Sequence, residues 1–227
     1  MMEEGFWQAR WQRNQIGFHR QEVNPELKKY WPTLQVAQGR CVFVPLCGKS
    51  LDLLWLAEQG YCVLGVELIE KAVVDFFSEH KMSPTVIQQG AFKRYSAGSI
   101  SILCGDFFAL SADDLAAVDA FYDRASLIAL PDELRRLYAE HLSKYLPNTC
   151  QGLLLTLDYP QAEMNGPPFA VSPEQVEQLL GDTFILECLE ERDALGQEWR
   201  FKDARVTRLF EYVYCVKHRD FIDPLSC

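Results

Sequence analysis

Cys41-Val42-Phe43-Val44-Pro45-Leu46-Cys47-Gly48-Lys49-Ser50, followed after one helical stretch by Cys62-Val63-Leu64-Gly65-Val66-Glu67, is the part of this sequence that decides its fold. Each half opens on a short, continuous apolar run, the pattern of a strand buried on both faces. Between them, residues 51–59 have helical spacing, with Leu53, Leu54, Leu56 and Ala57 turned inward and Gly60 as the stop. Working outward, a helix is predicted over 69–80. A third strand follows over 99–104, after a turn-rich stretch containing Gly98, and a fourth over 118–122. A helix over 131–145, a fifth strand over 152–157 and a helix capped by Ser172 with Pro173 in its first turn come next. Strands over 184–189 and 205–216 end the pattern as an antiparallel edge hairpin. Strands alternating with helices imply a doubly wound α/β domain with a mostly parallel sheet covered on both faces.

Upstream of this core the character changes. Phe6, Trp7, Trp11, Phe18, Tyr30 and Trp31 place three of the five tryptophans in an otherwise polar stretch. An amphipathic helix is expected over 3–13, then a loop and a second helix over 24–30, forming an arm that lies on the core. The expected organisation is a single domain over 1–227, with a helical cap over 1–40 and an α/β core over 41–227.

Charge and cysteine usage narrow the function classes. With 22 basic and 32 acidic residues among 227, the formal charge is −10. That field repels phosphate backbones and anionic membranes, so neither nucleic acid nor a membrane is an expected partner. The eight cysteines form no C-x-x-C pair and do not cluster with the four histidines, so no metal site is expected. Cys41, Cys62, Cys104 and Cys215 fall in apolar runs and read as small buried hydrophobes kept reduced. Met1-Met2-Glu3-Glu4-Gly5 carries acid where a signal peptide carries base, and no apolar run is long enough for a membrane span. A cytoplasmic chain, monomeric by default, is the expectation.

In doubly wound folds ligands bind at the carboxyl ends of the strands, beside the switch in strand order. Gly48-Lys49-Ser50 suggests a phosphate loop, but that motif needs glycine at position 43, which is Phe, and no G-x-G-x-x-G is present. One glycine is a poor cradle for a pyrophosphate, so the loop suits a nucleoside-type ligand without phosphates. Glu67, 19 residues beyond Gly48, ends the second strand, where a carboxylate can accept both hydrogen bonds of a ribose diol. Asp106 and Phe107, after the third strand, read either as an acceptor for an adenine amino group with an apolar cover or as a turn capping the next helix. Asp123 and Arg124, after the fourth, read either as functional groups or as a structural ion pair. An adenosyl pocket without phosphate glycines points to S-adenosyl-L-methionine, whose sulfonium is attracted to aromatic faces such as those of the arm.

These residues also carry a resemblance. Phe6-Trp7-x-x-Arg10-Trp11 with Gly17-Phe18-His19, then Val44-Pro45-Leu46-Cys47-Gly48-Lys49, Gly65-Val66-Glu67, Tyr122-Asp123-Arg124-Ala125 and Gly166-Pro167-Pro168-Phe169, in that order, resemble the thiopurine S-methyltransferase family. The resemblance runs from Phe6 to Lys217, and Gly105-Asp106-Phe107-Phe108 looks like its bacterial branch. It implies a seven-stranded S-adenosylmethionine-dependent methyltransferase fold with an N-terminal cap. It also implies cofactor contacts from Trp7, Trp11, Leu46, Gly48, Glu67, Asp106, Phe107 and Arg124. Acceptor contacts are implied for Phe18, Arg124, Pro167, Pro168 and Arg200.

The chemistry expected is attack by the sulfur of a small aromatic or heterocyclic thiol on the activated methyl, leaving S-adenosyl-L-homocysteine. Such a thiol is largely ionised near neutral pH, so no strong base is needed. Arg124, with Asp123 beside it, forms the expected catalytic pair, and Arg124 and Arg200 orient a partly anionic acceptor. Rival expectations are methylation of inorganic selenium or tellurium species, a non-catalytic adenosyl-ligand-binding regulator, and a nicotinamide oxidoreductase that the missing glycines disfavour.

Overall fold

A computed structural model of the chain describes residues 4–17, 19–196 and 199–221. The chain forms two compact units, Met1–Tyr122 and Asp123–Cys227.

In the first unit, helix α1 (Glu4–Gln12) and helix α2 (Pro25–Tyr30) precede strand β1 (Cys41–Val44). Then follow α3 (Asp52–Glu58), β2 (Cys62–Glu67), α4 (Glu70–Glu79), β3 (Thr85–Gln89), β4 (Phe92–Ala97), β5 (Ile100–Cys104), α5 (Ala112–Leu115) and β6 (Val118–Arg124). The strand order in this unit is β3-β4-β5-β2-β1-β6. β1 pairs in parallel with β2 and β6, and β2 with β5. The chain thus leaves β1 toward β2 on one side and returns to its other side at β6, which makes the carboxyl end of β1 the switch point.

The structure adds a hairpin that the sequence reading passed over as turns. β3 and β4 pair antiparallel around Gly90, and β4 pairs antiparallel with β5. β3 is exposed along almost its whole length, so the apolar-run signal that marked the central strands is missing from it. Against the seven strands expected, the described residues form nine, and pairing in the first unit is mixed, parallel among β1, β2, β5 and β6 and antiparallel through β3 and β4.

The arm is tied into this unit by one buried carboxylate. Asp52, in the first turn of α3, accepts the Asn24 N–H at 2.8 Å and the Tyr122 hydroxyl at 3.1 Å. The Asn24 side chain meanwhile caps α2 by accepting the Glu26 and Leu27 N–H groups. A buried acceptor bonded through both oxygens holds its neighbours firmly, because any opening strands it unsatisfied.

In the second unit, helix α6 (Asp132–Tyr145), β7 (Gln151–Asp158), α7 (Pro173–Leu180), β8 (Phe184–Asp193), α8 (Trp199–Asp203) and β9 (Phe210–His218) follow in turn. β9 lies between β7 and β8 and is antiparallel to both. The final strand begins at Phe210 rather than 205, because 199–203 is helical and buries Phe201 against Tyr159, Ala194, Val206 and Leu209. Ser172 caps α7 in a reciprocal pair with Gln175, as its sequence predicts.

The seven described cysteines are free thiols. Cys215 is buried, but Cys62, the first residue of β2, faces solvent, which corrects its reading as a packing residue. Among the described residues no helix is long and apolar enough to cross a membrane, and no group of three or more His, Cys, Asp or Glu side chains is arranged to hold a metal.

Candidate active site

The first half of the site is built where β1 ends. After Val44 the chain turns through Leu46 and Gly48, both with positive φ (43° and 54°). Leu46 has a Cβ, so its left-handed conformation is strained and must be held by what surrounds it. The Cys47 N–H donates to the Val66 carbonyl at 3.0 Å, which folds the loop back over β2. The Gly48 N–H then donates to Glu67 Oε2 at 2.9 Å, and the Ile69 N–H to Oε1 at 2.8 Å.

Glu67, held by these amides, is 7% exposed. Burial pushes its pKa up to about 7, against the downward pull of the Ile69, Gly48 and Leu68 amides. Beneath the loop, Cys47 Sγ lies 2.7 Å from where a Cβ on Gly65 would stand, so a larger residue there would have to displace it. Burial, with Glu67 nearby, holds the Cys47 thiol well above its ordinary pKa, so it stays protonated and acts as a spacer.

The arm covers this loop. Trp11, 3% exposed, lies 3.4 Å from where a Cβ on Gly48 would stand. It packs with Ile69 and Ala72 at the start of α4, and Trp7, Ile16 and Leu68 surround that cluster. The structure thus gathers Trp7, Trp11, Leu46, Gly48 and Glu67 into one neighbourhood. Lys49 takes no part: its ammonium is buried and donates to Glu79 at 2.5 Å, which explains why Gly48-Lys49-Ser50 looks like a phosphate loop without being one.

At the end of β5, the capping alternative is the one seen for Asp106. Its Oδ1 accepts the Phe108 N–H at 3.0 Å and starts a short turn over Phe107–Ala109. Phe107 is buried, and Phe108, at 36% exposure, is the ring that faces outward. The turn thus directs Phe107 into the core and leaves Phe108 at the surface.

In the second unit, Asp123 is 1% exposed and accepts the Tyr138 hydroxyl at 2.7 Å and the Ser126 N–H at 3.1 Å. Its pKa is raised, chiefly by burial. At 1% exposure, Asp123 is held by these partners inside the fold rather than at its surface. It braces the turn that follows. Arg124, half-buried, ends β6, and Ala125 after it has φ 79°, a strained value for a residue with a Cβ. Half-buried Pro167 and Pro168 follow Gly166, whose φ is 70° and whose Cβ would stand 2.6 Å from the Phe169 ring. The Tyr159 hydroxyl donates to the Pro168 carbonyl at 2.6 Å, and the Phe169 N–H to the Ile128 carbonyl at 2.6 Å.

Phe18 lies outside the described residues, as does the side chain of Arg200, whose backbone belongs to α8. Sequence reasoning missed Asp52, Arg135, Tyr138 and Tyr159. One signal was available for two of them: Arg135 and Tyr138, three apart, share the stripe of α6 that buries Leu142, and an arginine in such a stripe calls for partners.

The family model for Thiopurine S-methyltransferase (TPMT) matches residues 2–219. A thiopurine S-methyltransferase of Pseudomonas fluorescens is 56% identical over 213 residues, 94% of this chain and 96% of that protein. One from Azotobacter vinelandii is 56% identical over 218 residues, covering 96% of this chain and all of that protein (100%). Among solved structures, a SAM-dependent methyltransferase from Anabaena variabilis has a TM-score of 0.63 at 15% identity, covering 95% of both chains. A Burkholderia thailandensis 1,6-didemethyltoxoflavin-N1-methyltransferase, solved with S-adenosylhomocysteine, has a TM-score of 0.62 at 13% identity over 94% of this chain and 87% of that one. At such identities the structures speak for the fold alone: that of S-adenosylmethionine-dependent methyltransferases.

Proposed function

Because this chain belongs to the thiopurine S-methyltransferase family, and is an S-adenosylmethionine-dependent methyltransferase, we propose that its acceptor is a small aromatic or heterocyclic thiol such as a thiopurine. The observation that carries this reading is the end-to-end match with relatives so called, spanning 96% and 100% of their lengths.

The first unit's residues suit the cofactor. Glu67 supplies a buried acceptor for a ribose diol, and the Gly48 loop it holds has no cradle for phosphates. Trp7 and Trp11 offer aromatic surface to a sulfonium. Leu46 flanks the same loop, and Asp106 with the Phe107–Ala109 turn serves the adenine side. When bound, S-adenosylmethionine supplies a methyl group already activated on sulfur.

The second unit's residues suit the acceptor. Arg124 orients its electron-rich sulfur, Asp123 positions Arg124 through the turn it braces, and Pro167 and Pro168 form a wall. Phe18 and Arg200 are assigned to the acceptor by family resemblance alone. A thiol ionised near neutral pH needs no base, so the protein's work is alignment and exclusion of water. The working unit is a cytoplasmic monomer, for which light scattering should return a mass near 26.1 kDa.

A methyl-transfer assay with a thiopurine, an aryl thiol and selenite, scored by S-adenosylhomocysteine formed, tests the reading. Turnover of the thiopurine and the aryl thiol is expected. Transfer to selenite alone would move the function to metalloid methylation. No transfer at all, despite tight cofactor binding in a calorimeter, would leave a regulator.

A further inference from the structure

The turn after β6 is held by α6 at two points, and both holds come from one face of that helix. The Arg135 guanidinium, 2% exposed, donates through Nε to the Leu127 carbonyl at 3.2 Å and through Nη2 to the Leu130 carbonyl at 3.1 Å. Its remaining nitrogen, Nη1, donates to Asp132 Oδ1 at 3.0 Å. One helical turn on, the Tyr138 hydroxyl donates to Asp123 Oδ2 at 2.7 Å, while Asp123 Oδ1 accepts the Ser126 N–H.

Arg124 and the strained Ala125 sit between these two holds. Within the span gripped by Arg135, the Ile128 carbonyl accepts the Phe169 N–H, and Phe169 directly follows Pro167 and Pro168. A rigid guanidinium fork is suited to fixing two carbonyls at a set separation, which a single ammonium cannot do. A left-handed alanine persists only where its surroundings over-determine it.

We infer that Arg135 and Tyr138 are the positioning residues of the acceptor site: together they set where Arg124 and the Pro167–Pro168 wall stand. This rests on the reading that Arg124 and those prolines serve the acceptor.

The test uses the full chain as wild type, Arg124→Ala, Arg135→Lys, Tyr138→Phe and the double variant Arg124→Ala/Arg135→Lys. Cofactor Kd is measured by calorimetry without acceptor, and kcat and KM with a thiopurine. Arg135→Lys should raise the thiopurine KM roughly tenfold and lower kcat, because misplacement of groups that align an acceptor costs rate steeply. Its cofactor Kd should stay within about twofold of wild type, and the double variant should be no worse than Arg124→Ala alone.

If Arg124→Ala leaves thiopurine kinetics unchanged, the reading of Arg124 fails and the inference falls with it. If Arg124→Ala impairs transfer yet Arg135→Lys adds its full effect in the double variant, only the inference is overturned. A proportional loss of cofactor binding and acceptor turnover in Arg135→Lys also overturns it, by marking a general loss of structure. Should Arg135→Lys fail to fold, Tyr138→Phe removes a single hydroxyl from the same brace. The same KM-against-Kd split is then expected, and an unchanged thiopurine KM is the overturning result.

Discussion

The loop after β1 and the turn after β6 both end a strand in a strained bend, at Leu46 and at Ala125, but they are held by different means. The first is secured by its own main chain and one carboxylate: Gly48 and Ile69 amides converge on Glu67, over a floor made by Cys47 and Gly65. The second is secured by long side chains from α6, Arg135 and Tyr138, acting on carbonyls and on Asp123. Main-chain amides present a fixed site for a ligand that never varies, as a cofactor does not. A side-chain brace places its bend through packing, so the bend can be retuned by substitutions away from it.

The comparison can be broken from either side. The largest effect is expected from Glu67→Ala, which removes the proposed acceptor for the ribose diol, a hydrogen bond to a charged group worth about 1.5–3 kcal/mol. Cofactor Kd should therefore rise on the order of a hundredfold by calorimetry. If the Kd holds, the main-chain account of the first loop is wrong.

Gly166→Ala should come next. Its Cβ would stand 2.6 Å from the Phe169 ring at a φ of 70°, and overpacking of this kind costs about 1–3 kcal/mol. A thermal melt should shift downward, and acceptor KM should rise while cofactor Kd stays put. Gly65→Ala, with its Cβ 2.7 Å from Cys47 Sγ, should do the reverse, raising cofactor Kd at a similar cost in stability. Adding Cys47→Ala should recover much of that loss. Identical patterns from the two glycine variants would erase the distinction between the regions.

A smaller effect sharpens the comparison through pH. In the free chain Glu67 titrates near 7, because burial disfavours its charge. Ribose hydroxyls and a sulfonium favour the charged form, so binding lowers this pKa and expels a proton wherever the free form still carries one. Cofactor affinity should thus weaken as pH falls below about 7. Binding heats near that pH should differ between buffers of unlike ionisation enthalpy. Glu67→Gln should abolish the difference, and a buffer-independent heat in the wild type would rule the linkage out. Smallest of all is Lys71→Ala, which breaks an exposed i,i+4 pair with Asp75 and should cost less than about 0.5 kcal/mol by chemical denaturation, without touching either site.

How much of this was legible beforehand divides along the same line. Val42–Val44 and Val63–Val66 announced their strands because burial on both faces leaves a continuous apolar run. Gly48 and Glu67 announced a loop joining two strand ends, and the Gly48 N–H does donate to Glu67, because such contacts run between residues close in a repeating pattern. β3 was silent, since an exposed edge strand has no apolar signature. The partners of Asp123 were hidden for a different reason. A carboxylate beside an arginine looks reactive in a sequence, and only folding reveals that Tyr138 and Ser126 have claimed it.

The sequence by itself determined an alternating α/β order, a phosphate-free loop at the first strand end and the family to which the chain belongs. Those features rest on periodicity and on local spacing, which are properties of the chain. Only the tertiary structure decided that Lys49 goes to Glu79, that Asp106 caps a turn, that Phe108 rather than Phe107 faces outward, and that Arg135 grips two carbonyls. Each of these is a choice of hydrogen-bond partner or of burial. A polar group in a dry interior must take whichever partner packing brings within reach.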